Sequence, residues 1–174
     1  MLKSLSDAAE KGNRTGEARL RLIQNPLARK MTGGNMIRVL VVDDHQIVRR
    51  GVRQILDEEA DMEVGGEASN IAELMERIDQ AQWDVILLDV SLPDGNGLEA
   101  LKDIKLMRPD TKVIILSMHD EGQYAIHALR EGAKGYITKG GAVEEVVQAI
   151  RKVSRGLRYV SPSLAEKFFE AYEE

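Results

Sequence analysis

The sequence predicts a three-layer α/β/α domain built on a doubly wound parallel sheet. From Ile37 onward, short β-branched apolar runs alternate with segments in which apolar residues recur at helical spacing. The apolar runs are nearly continuous, which is typical of strands that helices cover on both faces. The first strand–helix turn, at residues 42–46, lacks the G-x-G-x-x-G of a dinucleotide site. These features favour a flavodoxin-like sheet of five strands in the order 2-1-3-4-5 over half of a Rossmann fold.

Five strand–helix repeats account for the central part of the chain. The spacing of apolar residues predicts a helix after each strand, as with Leu98, Leu101 and Ile104. Right-handed crossovers between parallel strands then leave few possible topologies. The predicted strands are residues 37–42, 62–67, 85–88, 113–116 and 135–137.

The two ends of the chain differ from this repeat. Residues 1–36 carry seven basic and three acidic residues and little apolar content, so we expect a basic N-terminal extension that is flexible or non-native. Residues 37–155 form the main domain, and residues 156–174 form a linker and a short C-terminal helix. Ser161 is a suitable N-cap and Pro162 a suitable first helical residue. This helix could pack on the domain, pair with a copy of itself or begin a linker; its apolar residues recur every four positions, at Leu164, Phe168 and Tyr172.

Composition excludes several classes of protein. The net charge of -5 gives no overall attraction to nucleic acid or to anionic membranes. The chain has no cysteine, which excludes disulfides and thiolate chemistry. No apolar run is long enough to span a membrane, and the N-terminus does not resemble a secretory signal. We therefore expect a cytoplasmic protein without membrane contact.

Polar residues follow four of the predicted strands. Asp43 and Asp44 follow the first strand, Asp89 the third, Ser117 the fourth and Lys139 the fifth. In a sheet of order 2-1-3-4-5, the carboxyl ends of the first and third strands meet where the strand order reverses, and functional groups gather there. The sequence therefore predicts that these five side chains share one site.

Three neighbouring carboxylates require a cation or raised pKa values, because like charges repel in a partly buried site. Mg²⁺ prefers oxygen ligands and commonly binds one or two carboxylates together with a phosphate oxygen. The three histidines lack the paired spacing of a zinc site. Oxygen ligation of Mg²⁺ is therefore expected.

Asp89 could then act as a nucleophile on phosphorus and form an aspartyl-phosphate. Lys139 would supply a fixed cation and Ser117 a hydroxyl to the transferring group. Singly, each residue has a simpler interpretation: Asp43 or Asp44 as a helix cap, Asp89 and Ser117 as turn residues, and Lys139 as a surface lysine. Their coincidence at successive strand ends favours a common site.

At these positions the chain resembles the receiver domain of bacterial two-component response regulators, which has the CheY-like fold. The shared pattern is Asp43-Asp44, Asp89 followed by Leu-Pro-Asp-Gly-x-Gly, Ser117, and Lys139 preceded by Gly-Tyr-Ile-Thr. Segments such as DDHQIVRRGV, LREGAKGYITK and RYVSPSLAEKF are similar to the NarL/FixJ (LuxR-type) subfamily.

The resemblance implies that a sensor histidine kinase phosphorylates Asp89 and that the domain is a conformational switch. Asp44 would bind Mg²⁺ directly and Asp43 largely through water, with Asp89 and the Ser91 carbonyl as further ligands. Ser117 and Tyr136 would be the switch pair. Beyond its own phosphorylation and dephosphorylation the domain would have no enzymatic activity.

The resemblance also implies a homodimer on phosphorylation and control of transcription through a C-terminal helix-turn-helix, which we expect to be absent from this chain. A stand-alone receiver that regulates a partner protein is the alternative. A phosphatase or phosphotransferase is disfavoured, because enzymes with an aspartyl-phosphate commonly place a second carboxylate where this chain has Ser91. Departures from the family pattern are Gly140 after the lysine, and Met118 and His119 near the site.

Overall fold

A computed structural model describes residues 35–118, 122–141 and 143–173, apart from the side chains of residue 143 and residues 170–173. The predictions for His119 and for the side chain of Tyr172 fall outside the described residues. So does almost all of the predicted extension at residues 1–36.

Strands and helices alternate along the described chain as the apolar pattern predicts. In order they are β1 (Ile37–Val42), α1 (Gln46–Asp57), β2 (Met62–Ala68), α2 (Ile71–Gln80), β3 (Val85–Asp89), β4 (Ser91–Leu92), β5 (Gly95–Asn96), α3 (Gly97–Met107), β6 (Lys112–Ser117), α4 (Gly122–Arg130), β7 (Gly135–Thr138), α5 (Val143–Ser154), β8 (Tyr159–Val160) and α6 (Pro162–Glu173).

The main sheet has the order β2-β1-β3-β6-β7-β8, and every pair of neighbouring strands in it is parallel. Across the sheet, the strands from β2 to β7 match the predicted order 2-1-3-4-5. The flavodoxin-like fold class is therefore confirmed. Two features are additional to the prediction. The strand β8 extends the sheet beyond β7, and β4 and β5 form a small antiparallel hairpin directly after β3.

Side chains that alternate along the strands enter two cores, one on each face of the sheet. On one face, Leu40, Ile86 and Ile115 pack with residues of α2, α3 and α4, such as Leu74 and Leu101. On the other face, strand residues including Val41, Leu87 and Ile114 pack with residues of α1 and α5. Because both faces bury apolar side chains, the strands read as continuous apolar runs.

Polar side chains fix the start of α2. The side chain of Asn70 accepts a hydrogen bond from the backbone N–H of Glu73 at 2.8 Å, and Glu73 accepts one from Ser69 N–H at 2.7 Å. Asp94, from the β4–β5 turn, accepts hydrogen bonds from the N–H groups of Ile71 and Ala72 at 2.8 and 3.0 Å. These bonds satisfy N–H groups that have no partner within the helix. The loop after β3 is thereby tied to the neighbouring helix.

The C-terminal segment packs back on the domain, which is one of the three arrangements that the sequence left open. Val160 of β8 is the register partner of Tyr136 in β7. Leu164 of α6 is 1% exposed and belongs to the same core as Tyr136, and Phe168 packs against that core. The helix α6 is therefore part of the folded unit.

Trp83 lies just before β3, at the amino-terminal edge of the sheet. Its side chain is buried, and the guanidinium of Arg38 lies 4.9 Å from the ring centroid. The indole N–H donates a hydrogen bond to the Arg77 carbonyl at 3.0 Å. An aromatic ring with both a cationic neighbour and a hydrogen-bond acceptor is held in one orientation.

In the part of the chain that the structure describes, none of the helices combines the length and the apolar character needed to cross a membrane.

Candidate functional site

The fold brings the predicted site residues to one edge of the sheet. Asp43 and Asp44 follow β1, Asp89 is the last residue of β3, Ser117 is the last residue of β6, and Lys139 follows β7. These strands are adjacent and parallel, so their carboxyl ends lie along the same edge. The register pairs Asp89 with the residue before Ser117, and the backbone N–H of Lys139 donates to the Ser117 carbonyl at 2.7 Å.

Lys139 joins the two buried carboxylates. Its Nζ lies 2.6 Å from Oδ2 of Asp43 and 2.9 Å from Oδ2 of Asp89. The Asp43 side chain is fully buried, and those of Asp89 and Lys139 are 4% and 9% exposed. The simpler interpretation of Lys139 as a solvated surface lysine is therefore excluded.

The electrostatics of this group follow from burial and from the charges within it. Burial raises the pKa of Asp89, and the neighbouring Asp43 carboxylate raises it further; Lys139 and the Ser91 N–H act in the opposite direction, and the pKa stays above its usual value. Burial alone would lower the pKa of Lys139. Contacts with Asp43 and Asp89 outweigh burial, so the pKa of Lys139 is raised and the ammonium stays charged.

Neither aspartate of the pair after β1 caps a helix. The N-cap of α1 is His45, and its side chain makes no capping hydrogen bond. Oδ1 of Asp43 accepts a hydrogen bond from the backbone N–H of His45 at 2.8 Å. Arg49 fixes the same turn, since its Nη1 donates to the Asp43 carbonyl at 2.7 Å. The turn is thus held in place while the two carboxylates remain at the strand edge.

The donor set fits a divalent cation. Asp43, Asp44, His45 and Asp89 each offer one ligand atom, and these atoms lie within 4.8 Å of one another. Oδ2 of Asp43 and of Asp89 face the Lys139 ammonium, which supplies one positive charge to two buried carboxylates. With Asp44 the group carries more negative than positive charge, which favours a bound cation.

The remaining predicted residues lie on β4, β6 and β7 or directly after β6. The Ser91 N–H donates to Oδ1 of Asp89 at 3.2 Å, so some of the turn chemistry suggested for Asp89 is present beside the ion pair. Ser117 is buried at the end of β6. Tyr136 is 1% exposed and packs as a core aromatic, in the same core as Leu164 and residues of α4. Met118, next to Ser117, is exposed.

The structure adds residues that were not singled out in the sequence. His45 lies 3.0 Å from Asp43 and 2.9 Å from Asp44, measured from Nδ1 to the Oδ1 atoms. Gly97 lies against the Asp89 carbonyl, where a Cβ would be 2.1 Å from the oxygen. The final glycine of the Leu-Pro-Asp-Gly-x-Gly motif was a signal for Gly97, since an obligatory glycine often marks close backbone approach. For His45, its position next to Asp44 was the only feature of the sequence that indicated a place at the site.

Known proteins share this architecture. Residues 39–151 match the family described as the response regulator receiver domain. The transcriptional regulatory protein DegU of Brevibacillus brevis is 37% identical over 141 residues, which are 79% of this chain and 58% of DegU. The chain thus spans less than two thirds of that relative.

Two solved structures are similar as well. A two-component response regulator of the LuxR family from Aurantimonas sp. SI85-9A1 has a TM-score of 0.77 and 32% identity, over 80% of this chain and 100% of that one. The isolated REC domain of RcsB from Salmonella enterica serovar Typhimurium, solved with the phosphomimetic BeF3-, has a TM-score of 0.72 and 26% identity, over 76% of this chain and 98% of that one.

The family match covers more than half of the chain. The relatives are NarL/FixJ-type regulators, which agrees with the similarity of segments such as LREGAKGYITK to that subfamily. The chain therefore belongs to the response regulator receiver domain family, as a LuxR-type (NarL/FixJ) receiver of two-component signalling.

Proposed function

We propose that this receiver is a phosphorylation-controlled switch in which Asp89 accepts a phosphoryl group from a sensor histidine kinase. The observation that carries the proposal is the placement of Asp89. Its carboxylate is buried at the end of β3, in contact with Lys139 and within reach of Asp43 and Asp44. A nucleophilic carboxylate, a fixed cation and metal-binding oxygens are the groups that phosphoryl transfer requires.

In the transfer, a carboxylate oxygen of Asp89 attacks the phosphorus of a phosphohistidine. A P–O bond forms as the P–N bond breaks, and the electron pair of that bond stays on the leaving imidazole, which takes a proton from solvent. Lys139 then donates hydrogen bonds to a phosphoryl oxygen, and the Ser117 hydroxyl donates to another. Beyond forming and hydrolysing this one acyl phosphate, the domain would catalyse no reaction.

Mg²⁺ is the proposed cofactor, which Asp43, Asp44, Asp89 and the backbone carbonyl of Ser91 would hold. When bound, the ion neutralises charge on the phosphoryl oxygens and on the carboxylates. The ligand atoms of Asp43, Asp44 and Asp89, which lie within 4.8 Å of one another, support this assignment.

Ser117 and Tyr136 are proposed to transmit the change. Recruitment of the Ser117 hydroxyl to the phosphoryl group would shift the end of β6. Tyr136 lies in the neighbouring strand β7, and its ring packs beside α4. A few new contacts to the phosphoryl group can shift a pre-existing equilibrium between two packings.

The output is proposed from the relatives. DegU is named a transcriptional regulatory protein, and this chain covers 58% of its length. We infer that the receiver forms a homodimer on phosphorylation and, in a full-length cytoplasmic protein, controls transcription through a LuxR-type helix-turn-helix. A receiver that instead regulates a partner protein by direct contact is the second candidate.

Phosphorylation of the purified chain tests the proposal. With Mg²⁺ and the cognate kinase, we expect one acid-stable, hydroxylamine-labile phosphate per chain, and Asp89→Asn should abolish it. Asp103→Asn, an exposed carboxylate on α3, is the matched control and should leave labelling unchanged. Stoichiometric phosphate on the Asp89→Asn variant, or none on the wild type with its own kinase, would contradict the proposal.

The same experiment separates a switch from a phosphatase. A phosphatase with an aspartyl-phosphate intermediate would release many phosphates per chain from a small phosphodonor. The switch should hydrolyse its own acyl phosphate slowly, so that few phosphates are released per chain. The position that would hold a second catalytic carboxylate is Ser91, whose side chain is exposed.

A further inference from the structure

A cavity lies at the amino-terminal edge of the sheet, where β1, β3 and β6 begin, opposite the edge that holds Asp89. Its volume is about 620 Å³, which is the size of a site for a small molecule. Two segments form most of its walls: residues 82–84, just before β3, and residues 107–112, from the end of α3 to the start of β6. Arg38 of β1 completes the lining. The proposed phosphoryl transfer makes no use of this cavity.

Hydrogen bonds fix both walls. On one side, Oδ2 of Asp84 accepts a hydrogen bond from the Arg38 N–H at 2.7 Å, and the Asp84 N–H donates to the Arg38 carbonyl at 3.0 Å. On the other side, the Arg108 N–H donates to the Ile104 carbonyl at 2.7 Å, and the Thr111 N–H donates to the Arg108 carbonyl at 3.1 Å. A ligand would therefore meet a preformed cavity, which lowers the entropic cost of binding.

The lining is strongly charged. It contains three cations and two carboxylates: Arg38, Arg108 and Lys112 against Asp84 and Asp110. Arg38 is partly neutralised by Glu63, whose carboxylate lies 3.9 Å from its guanidinium, and it also lies over the Trp83 ring. Arg108 and Lys112 are therefore the cations best placed to meet an anionic ligand.

Arg108 has hydrogen-bonding capacity that the fold leaves unused. Its Nη2 lies 3.4 Å from the Ile78 carbonyl, and within the described residues its buried Nε has no hydrogen-bond partner. A guanidinium has five N–H donors and can bind a phosphate through two parallel hydrogen bonds. Because an unpaired buried donor is costly, a phosphate oxygen would be a favourable partner.

Further positive charge lies behind the wall that precedes β6. Lys105 of α3 donates hydrogen bonds to two backbone carbonyls of this wall, at 2.6 and 3.0 Å. Burial lowers the pKa of Lys105, and the charges of Lys134 and Lys112 lower it further, whereas Asp110 opposes them. The lysines around this wall thus repel one another, which an anion in the cavity would relieve.

The carboxylates of the lining restrict the kind of anion. Ionised Asp84 and Asp110 only accept hydrogen bonds, so they suit the hydroxyl groups of a sugar and disfavour a chain of several phosphates. Arginine binds phosphate as a planar fork and lysine binds it as a point charge. One phosphate group joined to a polyhydroxyl group therefore matches the lining.

We propose that this cavity binds a phosphate monoester of a sugar, either free or as part of a nucleotide, with Arg108 and Lys112 as the phosphate-binding residues. The inference does not depend on the proposed phosphorylation of Asp89.

Isothermal titration of the full chain with ribose 5-phosphate and with AMP tests the inference and distinguishes the two sources. We expect at least one of them to bind with a dissociation constant below about 1 mM, and ribose and adenosine not to bind at the same concentrations. Arg108→Gln and Lys112→Gln should each weaken binding at least about 10-fold, because each removes a charged hydrogen-bonding partner. Lys102→Gln, an exposed lysine on α3, is the matched control and should bind as the wild type does.

Three results would overturn the inference. They are a folded wild type that binds neither ester, binding that survives unchanged in both Arg108→Gln and Lys112→Gln, and binding of inorganic phosphate as tight as that of the esters. Circular dichroism establishes that the variants are folded, and either variant alone is sufficient if the other does not fold. Labelling of Asp89 in Arg108→Gln should match the wild type, so failure of this inference leaves the proposed phosphorylation intact.

Discussion

Gly97 and Asp89 approach each other so closely that no side chain fits between them. A Cβ on Gly97 would lie 2.1 Å from the carbonyl oxygen of Asp89 and 3.1 Å from Cα of Val90. The Gly97 N–H also donates to the Val90 carbonyl at 2.7 Å. The start of α3 therefore presses against the backbone of the residue that we propose to be phosphorylated.

Gly97→Ala should reduce the free energy of unfolding by about 2–3 kcal/mol, because the atoms that would have to move are backbone. Gly51→Ala is the matched control, since a Cβ there has no neighbour within 4 Å. Within α1 that change should stabilise by about 0.5–1 kcal/mol through helix propensity. Urea unfolding followed by circular dichroism measures both. A Gly97→Ala variant as stable as the wild type would show that the backbone after β3 can move aside for the methyl group at little cost in free energy.

Lys139→Gln should destabilise the metal-free protein by about 3 kcal/mol, because it leaves the buried Asp43 and Asp89 carboxylates without their cation. Adding Asp89→Asn to that variant should restore part of the loss, since one of the two like charges is removed. Unfolding in the presence of a chelator gives these free energies. Lys102→Gln, an exposed lysine on α3, should change stability by less than about 1 kcal/mol. Equal effects of the two lysine variants would show that the buried ion pairs do not stabilise the site.

Arg151→Gln should lower stability in a pH-dependent way. Hydrogen bonds from Arg151, at 2.8 Å, hold the pKa of Asp61 below its usual value. A carboxyl with a depressed pKa stabilises the fold above its unfolded pKa, and this stability is lost as the pH falls through the lower folded pKa.

The difference between wild type and Arg151→Gln should therefore be about 0.5–1 kcal/mol at neutral pH, a size set by the partial exposure of the pair, and should shrink below about pH 4. Urea unfolding at several pH values checks this. A difference that stays constant down to about pH 2 would assign the effect to packing of the arginine stem.

Leu164→Ala should reduce the free energy of unfolding by about 2–4 kcal/mol, because the side chain is buried in the core that also contains Tyr136. Phe169→Ala, on the same helix but 74% exposed, should change stability by less than about 0.5 kcal/mol. Thermal and urea unfolding compare the two. Similar small effects would show that α6 is a linker detached from the domain in solution.

The strands of the sheet could be predicted because burial on both faces leaves a recognisable apolar run in the sequence. Strands covered on both faces are apolar throughout, so their positions and order follow from the alternation with helices. Four predicted strands end one residue early, since the observed strands continue to Ala68, Asp89, Ser117 and Thr138. Backbone pairing continues through polar or small residues where the apolar run has stopped.

Short elements were not predicted. The strand β8 has two residues, too few for any period, and it forms because the Tyr159 N–H meets the Lys134 carbonyl at 2.9 Å. The β4–β5 hairpin likewise depends on contacts between Ser91 and Asn96 that a turn signal alone does not specify.

The candidate site was predictable to the extent that topology controls it. Strand order alone brings Asp43, Asp89 and Lys139 together, so their proximity followed from the sequence. The contacts of His45 and the link from Asp94 to α2 depend on loop conformations, for which residue spacing gives no rule.

Trp83 is the single tryptophan of the chain, and it sits six residues before Asp89 across the strand β3. At about 3.3 Å per residue, roughly 20 Å separate it from the acidic site. Its emission should therefore change when the Arg38 contact and the core are lost on unfolding, and should stay nearly constant when an ion or a phosphoryl group arrives at the opposite edge. Trp83 fluorescence therefore reports on folding of the domain. Changes at the acidic site have to be followed with a spectroscopic probe placed near Tyr136.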